Sequence, residues 1–193
     1  KKFNLKKNYN IFNEDILKFN FDPNTSGDVI FGNLPYNIST QILAKFIKLD
    51  KWPPSFKKII FMFQKEVADR ILAKHDTKEY GRITVLANFR LDITSSFTIS
   101  RKCFFPVPDV DSKIIIFKPK FKTNYNIKNI RNLEKITEIL FSGKRKMINK
   151  AFSKIFKNYK EVAKFLDIDL KKRPAELACG DYYKITEYYE KSI

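Results

Sequence analysis

The sequence has 193 residues and a mass of 22.8 kDa, which suits one domain with at most a small second one. Hydrophobic residues make up 44% and aromatic residues 15%, so the composition excludes an intrinsically disordered chain. The longest apolar run, 59–63, is too short to cross a bilayer, and the charged start at Lys1 is unlike a secretion signal. Cys103 and Cys179 are too far apart to predict a disulfide framework or a metal site. We expect a monomeric, cytoplasmic protein without a membrane segment.

The charge is strongly positive. Lysine and arginine total 38 against 21 acidic residues, a net charge of +17. Such an excess attracts polyanions and makes binding steeply salt-dependent, so it favours a nucleic-acid partner. The same charge could also arise from nucleotide bias in the gene, or could serve solubility alone.

The hydrophobic pattern of the first part of the chain alternates between strand and helix. In chain order it predicts a strand near 11–17 that ends in a polar loop, a buried strand over 28–32, a helix over 38–49, a strand over 58–63 and a helix over 66–72. Strand and helix in alternation imply parallel pairing through crossovers, the layered α/β class.

The second part changes character. Apolar residues alternate over 91–99, and a further apolar strand covers 114–117; their Pro-rich link predicts an antiparallel edge on the sheet. Beyond about 124 the spacing predicts helices over 133–140, 147–152 and 162–166. We therefore expect an α/β domain over 1–122 and a helical domain over 123–193.

The tetrapeptide Asn33-Leu34-Pro35-Tyr36 lies between a predicted strand and a predicted helix. Open α/β sheets bind their ligands at that end of the strands. Four residues are a weak signal alone, since an ordinary polar loop with a packed tyrosine has the same pattern.

Further runs make the pattern specific. The run 32–40, together with Gln64-Lys65-Glu66-Val67-Ala68, the F-x-P-x-P-x-V-D-S run over 104–112 and the run 80–87, resembles the KsgA-type ribosomal RNA adenine dimethyltransferases over nearly the whole chain. The resemblance implies a Rossmann-like domain that uses S-adenosylmethionine, followed by a small helical RNA-binding domain. It also implies N6,N6-dimethylation of adjacent adenines in the 3′-terminal hairpin of small-subunit (16S) rRNA, in a pre-30S particle.

One departure from the family concerns the glycines. Family members begin with a Gly-rich E-x-G-x-G turn that receives the methionine part of the cofactor, whereas this sequence has five glycines and no G-x-G. We expect that the first strands of the fold, upstream of Lys1, are missing, and that this chain alone binds the cofactor poorly or not at all.

The chemistry of adenine N6 fits the motif. The amine is a weak nucleophile because its lone pair is delocalised into the ring, and two acceptors facing its hydrogens would stabilise the charge that develops as a methyl group arrives. The Asn33 side-chain oxygen and the Leu34 carbonyl, turned outward before Pro35, are the expected acceptors. Tyr36 and Phe104 are the expected stacking walls for an everted base, although Phe105 could exchange roles with Phe104.

The resemblance also assigns binding residues. It implies that Asp15 accepts from the cofactor's adenine amine beside Ile16 and Asn33. The alternative is that Asp15 is an ordinary loop acid or helix cap. Basic residues expected at RNA phosphates are Arg82, Lys102, Lys144, Arg145, Lys146 and Arg173. These residues could equally be solvated surface charges with no bound partner.

Two alternative functions stay open. The macrolide-resistance methylases of large-subunit rRNA share this layout but usually carry Asn where this chain has Asp111, and Ile where it has Leu34. The second alternative is a non-catalytic RNA-binding ribosome-assembly factor, although such a protein would not need paired acceptors for N6.

Overall fold

A computed structural model of the chain describes residues 11–19 and 29–192. Its strands are β1 (Val29–Asn33), β2 (Lys58–Gln64), β3 (Leu91–Ile99) and β4 (Ser112–Pro119). Its α-helices are α1 (Ser39–Ile47), α2 (Lys65–Leu72), α3 (Arg82–Arg90), α4 (Ile130–Phe141), α5 (Asn149–Phe152), α6 (Tyr159–Leu166) and α7 (Cys179–Ser192). Short 3₁₀ turns cover Arg101–Cys103 and Pro174–Glu176.

The four strands form one mixed sheet in the order β1-β2-β4-β3. β1 pairs with β2 in parallel, and β4 pairs antiparallel with both β2 and β3, which confirms the predicted antiparallel edge. The register places Asn33 opposite Met62, and Ser112 opposite both Gln64 and Ile99. The carboxyl ends of β1 and β2 therefore lie beside the amino end of β4, at one end of the strands.

β1 is not the buried strand that its apolar sequence predicts. Phe31 is 74% exposed and Val29 is 37% exposed. β1 has a single neighbour, β2, among the described residues. An apolar run cannot distinguish a central strand from one at the edge of a sheet, because burial depends on neighbours elsewhere in the chain.

The strand predicted near 11–17 is also absent from the described segment 11–19, which forms a loop and a turn. The amides of Lys18 and Phe19 donate to the Asp15 carbonyl at 2.9 and 2.8 Å. The Leu17 amide donates to the Asp15 side chain at 2.9 Å. Local hydrogen bonds of this kind compete with a strand ladder.

The core runs from the sheet into the helical part. Ile59, Phe61 and Phe63 of β2 alternate inward and are almost completely buried. α3 is covered on most of its surface and contacts α1 on one side and α4 and α7 on the other. The Tyr183 hydroxyl of α7 donates to the Val85 carbonyl of α3 at 2.9 Å. The boundary near 122 stays a prediction, and packing is continuous across it.

Arg90, the last residue of α3, caps the carboxyl end of α1. Its Nη1 donates to the carbonyls of Ile47 and Leu49, each at 2.7 Å, which satisfies acceptors at the carboxyl end of α1. Its guanidinium lies 4.7 Å from the centre of the Trp52 ring. Burial lowers the pKa of Arg90 to about 10, so the side chain remains charged at neutral pH. These bonds tie the carboxyl end of α1 to the end of α3.

Candidate active site

The Asn33–Tyr36 turn follows β1 directly. Asn33 is exposed, and no hydrogen bond to its side chain is found within 11–19 and 29–192. Leu34, in contrast, is buried. The amide of Asn33 therefore faces outward on a turn whose next side chain is anchored in the core.

Gly32 makes that anchoring possible. A Cβ placed on Gly32 would lie 2.6 Å from Leu34 Cδ2 and 2.7 Å from Phe61 Cδ1, closer than carbon atoms approach. The Leu34 side chain and the Phe61 ring thus occupy the space that any larger residue at 32 would need. Glycine at position 32 therefore follows from the packing of Leu34 and Phe61.

Two hydrogen bonds close the turn. The Ile38 amide donates to the Pro35 carbonyl at 3.2 Å, and Ser39 Oγ donates to the Tyr36 carbonyl at 3.1 Å. Neither bond uses the Leu34 carbonyl. Its oxygen and the Asn33 amide oxygen come from successive residues, and both are proposed acceptors for one amine.

Aromatic side chains come from the turn and from the β3–β4 loop. Tyr36 is half-buried, and its hydroxyl lies 2.8 Å from Ser112 Oγ at the start of β4. Phe104 is half-buried, whereas Phe105 is fully exposed. The Phe104 amide donates to the Arg101 carbonyl at 3.2 Å, so Phe104 ends a 3₁₀ turn. Ser112 joins the tyrosine to the strand that this loop enters.

Asp15 and Ile16 lie on a turn held by α1. Lys45 Nζ donates to the carbonyls of Ile16 at 3.0 Å, Leu17 at 2.9 Å and Phe19. A charged donor with three acceptors fixes the turn firmly. Because α1 follows the Asn33–Tyr36 turn, Lys45 ties the predicted cofactor residues to the helix that leaves the predicted catalytic turn.

An ion-pair network lies beside this end of the strands. Asp69 of α2 accepts from Lys113 Nζ at 2.5 Å and from Lys65 Nζ at 2.8 Å. Partial burial raises the pKa of Asp69, but the hydrogen bonds and charges of both lysines outweigh it and lower the pKa below its ordinary value. The network fixes α2 against β4.

Several predicted RNA contacts are brought together. The Ile148 amide donates to the Lys172 carbonyl at 2.9 Å, which brings the 144–146 turn beside Arg173. Lys144 Nζ donates to the Lys78 carbonyl at 2.6 Å. Arg82 forms an ion pair at 3.7 Å with Glu138, close to the end of α4.

Lys102 lies apart from this group, exposed on the β3–β4 loop beside the predicted walls. Arg82, within the group, has its Nε buried with no hydrogen-bond partner among the described residues, whereas the rest of its side chain reaches the surface. The predicted set therefore divides into a group formed by the 144–146 turn, Arg173 and Arg82 of α3, and one lysine on the β3–β4 loop.

Sequence reasoning missed Lys45 and gave no role to Ser112. Lys45 stands between the apolar residues of α1 and is half-buried, an unusual setting for a lysine that could have drawn attention. Ser112 begins an apolar strand and is completely buried, but its partner is 76 positions away, which no local pattern reveals.

The acidic, histidine and cysteine side chains are scattered. No group of three or more of them that could hold a metal ion occurs in the part of the chain that the structure describes. Among the same residues, no helix has the length and apolar character needed to cross a bilayer.

The fold and the site define a class of protein. The fold is similar to that of a crystal structure of a dimethyladenosine transferase from Plasmodium falciparum, with a TM-score of 0.72 and 28% identity over 94% of this chain and 73% of that one. The 23S rRNA methyltransferase ErmE shares the fold, with a TM-score of 0.63 at 18% identity over 93% of this chain and 71% of that one. The fold is the Rossmann-like methyltransferase fold followed by a helical part, as expected.

Residues 1–191 match the family model "Ribosomal RNA adenine dimethylase", and the chain belongs to that family. It is 42% identical over 181 residues to the ribosomal RNA small subunit methyltransferase A of Pelagibacter ubique, covering 93% of this chain and 69% of the relative. The protein of the same name from Zymomonas mobilis is 35% identical over 162 residues, covering 84% and 57%. The resemblance inferred from the motifs is thereby confirmed.

Proposed function

We propose that the protein containing this chain transfers methyl groups to N6 of adjacent adenines in the 3′-terminal hairpin of 16S rRNA, within a small-subunit precursor particle. The observation that carries the proposal is the exposed amide of Asn33 at the end of β1, without a hydrogen-bond partner among the described residues and next to a side chain buried over Gly32. A pure binding protein needs no such fixed acceptor. The names of the relatives from Pelagibacter ubique and Zymomonas mobilis support the small-subunit substrate.

The two acceptors act on the amine of the target base. Asn33 Oδ1 and the Leu34 carbonyl each accept one N6 hydrogen, which turns the nitrogen lone pair away from the ring. The same oxygens stabilise the positive charge that develops on N6 during transfer. Because the Leu34 side chain is held by the core, its carbonyl needs no reorganisation when the base arrives.

The aromatic residues hold the base outside its stack. The half-buried ring of Tyr36 lies flat against one face, and Phe104 covers the other. Stacking on aromatic side chains offsets part of the free energy lost when a nucleotide leaves its helix.

The described residues fit one side of S-adenosylmethionine. Asp15 offers an exposed carboxylate oxygen for the adenine amine, on the turn that Lys45 fixes, with Ile16 beside it, and Asn33 is the third residue assigned to the cofactor. When bound, the cofactor supplies an electrophilic methyl group on a positively charged sulfur. Because the sequence contains no G-x-G, these residues alone should give a weak site.

The basic cluster on the helical part suits an RNA backbone. Lys146 and Arg145 are exposed in the turn after α4, and Arg173 lies beside them. Phosphate contacts of this kind position a nucleic acid without reading its sequence. We expect this cluster to carry much of the RNA affinity.

The test is methyl incorporation into purified 16S and 23S rRNA and into small-subunit particles, using the full-length gene product. Label in small-subunit RNA supports the proposal, label in 23S rRNA favours the macrolide-resistance activity, and no label favours a binding factor. Asn33→Ala should abolish transfer with RNA affinity nearly unchanged. Asn37→Ala, an exposed asparagine four residues on, is the matched control and should retain transfer. Equal loss of affinity and rate in Asn33→Ala would contradict its role.

A further inference from the structure

We infer that Asp111 and Ser112, which we call the clasp, position both aromatic walls of the proposed site. This inference rests on the proposed function. The two residues are adjacent at the start of β4. Ser112 is bonded to Tyr36, and Asp111 is bonded to the Arg101 amide, where the turn that ends in Phe104 begins. Neither touches the reacting atoms, so they are positioning residues.

Ser112 holds the tyrosine wall. It is completely buried, and its Oγ lies 2.8 Å from the Tyr36 hydroxyl. Its backbone pairs with Gln64 on β2 and Ile99 on β3, so strands on both sides fix the hydroxyl. A phenol bonded to such a fixed partner keeps the far end of its ring in place, which limits how far the ring can move from a stacked base.

Asp111 holds the other wall. Its Oδ1 accepts from the Arg101 amide at 2.9 Å, at the start of the 3₁₀ turn that ends in Phe104. Its own carbonyl accepts from the Lys65 amide at the start of α2, also at 2.9 Å. The carboxylate therefore fixes the origin of the turn, and the backbone of Asp111 is itself held by a helix.

The loop between β3 and β4 has further bonds at this point. Arg101 Nη1 donates to the Asp109 carbonyl at 3.1 Å, and the Cys103 amide donates to the Ser100 carbonyl at 3.0 Å. These bonds keep the loop closed at its base while Phe105 at its tip is fully exposed. Phe104 thus takes its position from the base of the loop, where Asp111 lies.

The consequence is geometric coupling. One dipeptide on a strand with two neighbours sets where the ring of Tyr36 and the ring of Phe104 stand relative to each other. A base held between two walls is sensitive to small errors in their spacing, because displacement by about 1 Å can lower a rate about a hundredfold. Loss of the clasp should reduce turnover more than binding.

The first experiment is a double-mutant cycle of Tyr36→Phe and Ser112→Ala, assayed by methylation of the 16S 3′-terminal hairpin. Each single variant should lower kcat roughly tenfold with little change in KM, and the double variant should be no worse than either, since both remove one hydrogen bond. Additive losses would overturn the role of Ser112. Thr186→Ala is the matched control, because it removes another completely buried hydroxyl, bonded at 2.8 Å within α7. It should lower the melting temperature without the loss in kcat.

The second experiment distinguishes the hydrogen-bond acceptor oxygen of Asp111 from the negative charge of its carboxylate. Asp111→Asn keeps an oxygen that can accept from the Arg101 amide and should retain most of kcat, whereas Asp111→Ala should lower kcat roughly tenfold. Equal activity of the two variants would overturn the assignment.

A third readout does not depend on turnover. With fluorotyrosine incorporated, the ¹⁹F signal of residue 36, identified by its loss in Tyr36→Phe, should shift in Ser112→Ala and stay in place in Thr186→Ala. An unmoved signal contradicts the clasp even if the protein methylates RNA. If the signal moves in Ser112→Ala but the unsubstituted protein does not methylate RNA, the clasp is supported and the proposed function is contradicted.

Discussion

Gly32→Ala tests how the Asn33–Tyr36 turn is held. The added Cβ would lie 2.6 Å from Leu34 Cδ2, and 2.7 and 2.9 Å from two ring atoms of Phe61. Phe61 is 1% exposed and packs edge-on against Phe46 at a centroid distance of 5.5 Å, so its ring cannot swing aside. The backbone at residue 32 must therefore shift away from Phe61, and we expect the Leu34 carbonyl two residues on to shift with it.

The size of the effect follows from two opposing terms. Overpacking a filled core lowers the free energy of unfolding by about 1–3 kcal/mol. Replacing glycine by alanine raises it by about 0.4–1 kcal/mol, because the unfolded chain has less conformational entropy. A net loss of about 1–2 kcal/mol corresponds, for a protein of this size, to a fall in Tm of roughly 2–8 °C. The methylation rate should fall more steeply, since the Leu34 carbonyl is one of the two proposed acceptors.

Gly81→Ala is the control that the chain itself provides. A Cβ at Gly81 would have the Glu79 carbonyl oxygen, at 3.9 Å, as its nearest neighbour, so this substitution should leave Tm nearly unchanged. Thermal unfolding and single-turnover methylation of both variants make the comparison. If Gly32→Ala melted and reacted like Gly81→Ala, the close packing of residues 32, 34 and 61 would not be what holds the turn.

Three further predictions concern other parts of the site and core. Lys45→Met should weaken S-adenosylmethionine binding about tenfold, because the Asp15 turn loses a charged donor to three carbonyls. Calorimetry on the full-length protein measures this affinity, and an unchanged affinity would mean that other contacts fix the turn. Phe104→Ala should lower kcat for methylation, whereas Phe105→Ala should leave both kcat and Tm nearly unchanged since its side chain is fully exposed; the reverse order would make Phe105 the wall. Arg90→Met should lower the free energy of unfolding, measured by urea titration, by about 2 kcal/mol, because two carbonyls at the end of α1 lose a charged partner. A variant as stable as the wild type would show that water replaces the guanidinium without loss of stability.

The sequence predicted elements whose periodicity is set by one buried face. β3 was expected over 91–99 and is found there, and α2 and α4 are also close to their expected positions. α3 was missed because it is buried on most of its surface, which removes the amphipathic pattern on which helix prediction depends. α7 was missed because tyrosine and charged residues alternate along it without a clear apolar stripe.

The site divides in the same way. The Asn33–Tyr36 turn was predictable, because a change of period from strand to helix marks the carboxyl end of a sheet. The contacts that fix it were not predictable, since Ser112 and Phe61 reach it through pairing across strands. The roles of Asn33, Tyr36 and Phe104 in catalysis remain predictions.

The central helix α3 has a consequence for substrate choice. Phe89 packs 5.0 Å from Tyr183, centroid to centroid, and Tyr183 also donates to the Val85 carbonyl, so α7 is held against α3 by a ring contact and a hydrogen bond. Under the proposed function, an RNA bound at Lys146 and Arg173 would therefore lie at a set distance from Asn33. The target adenines would then be selected by their distance along the bound hairpin, without contacts that recognise the intervening bases.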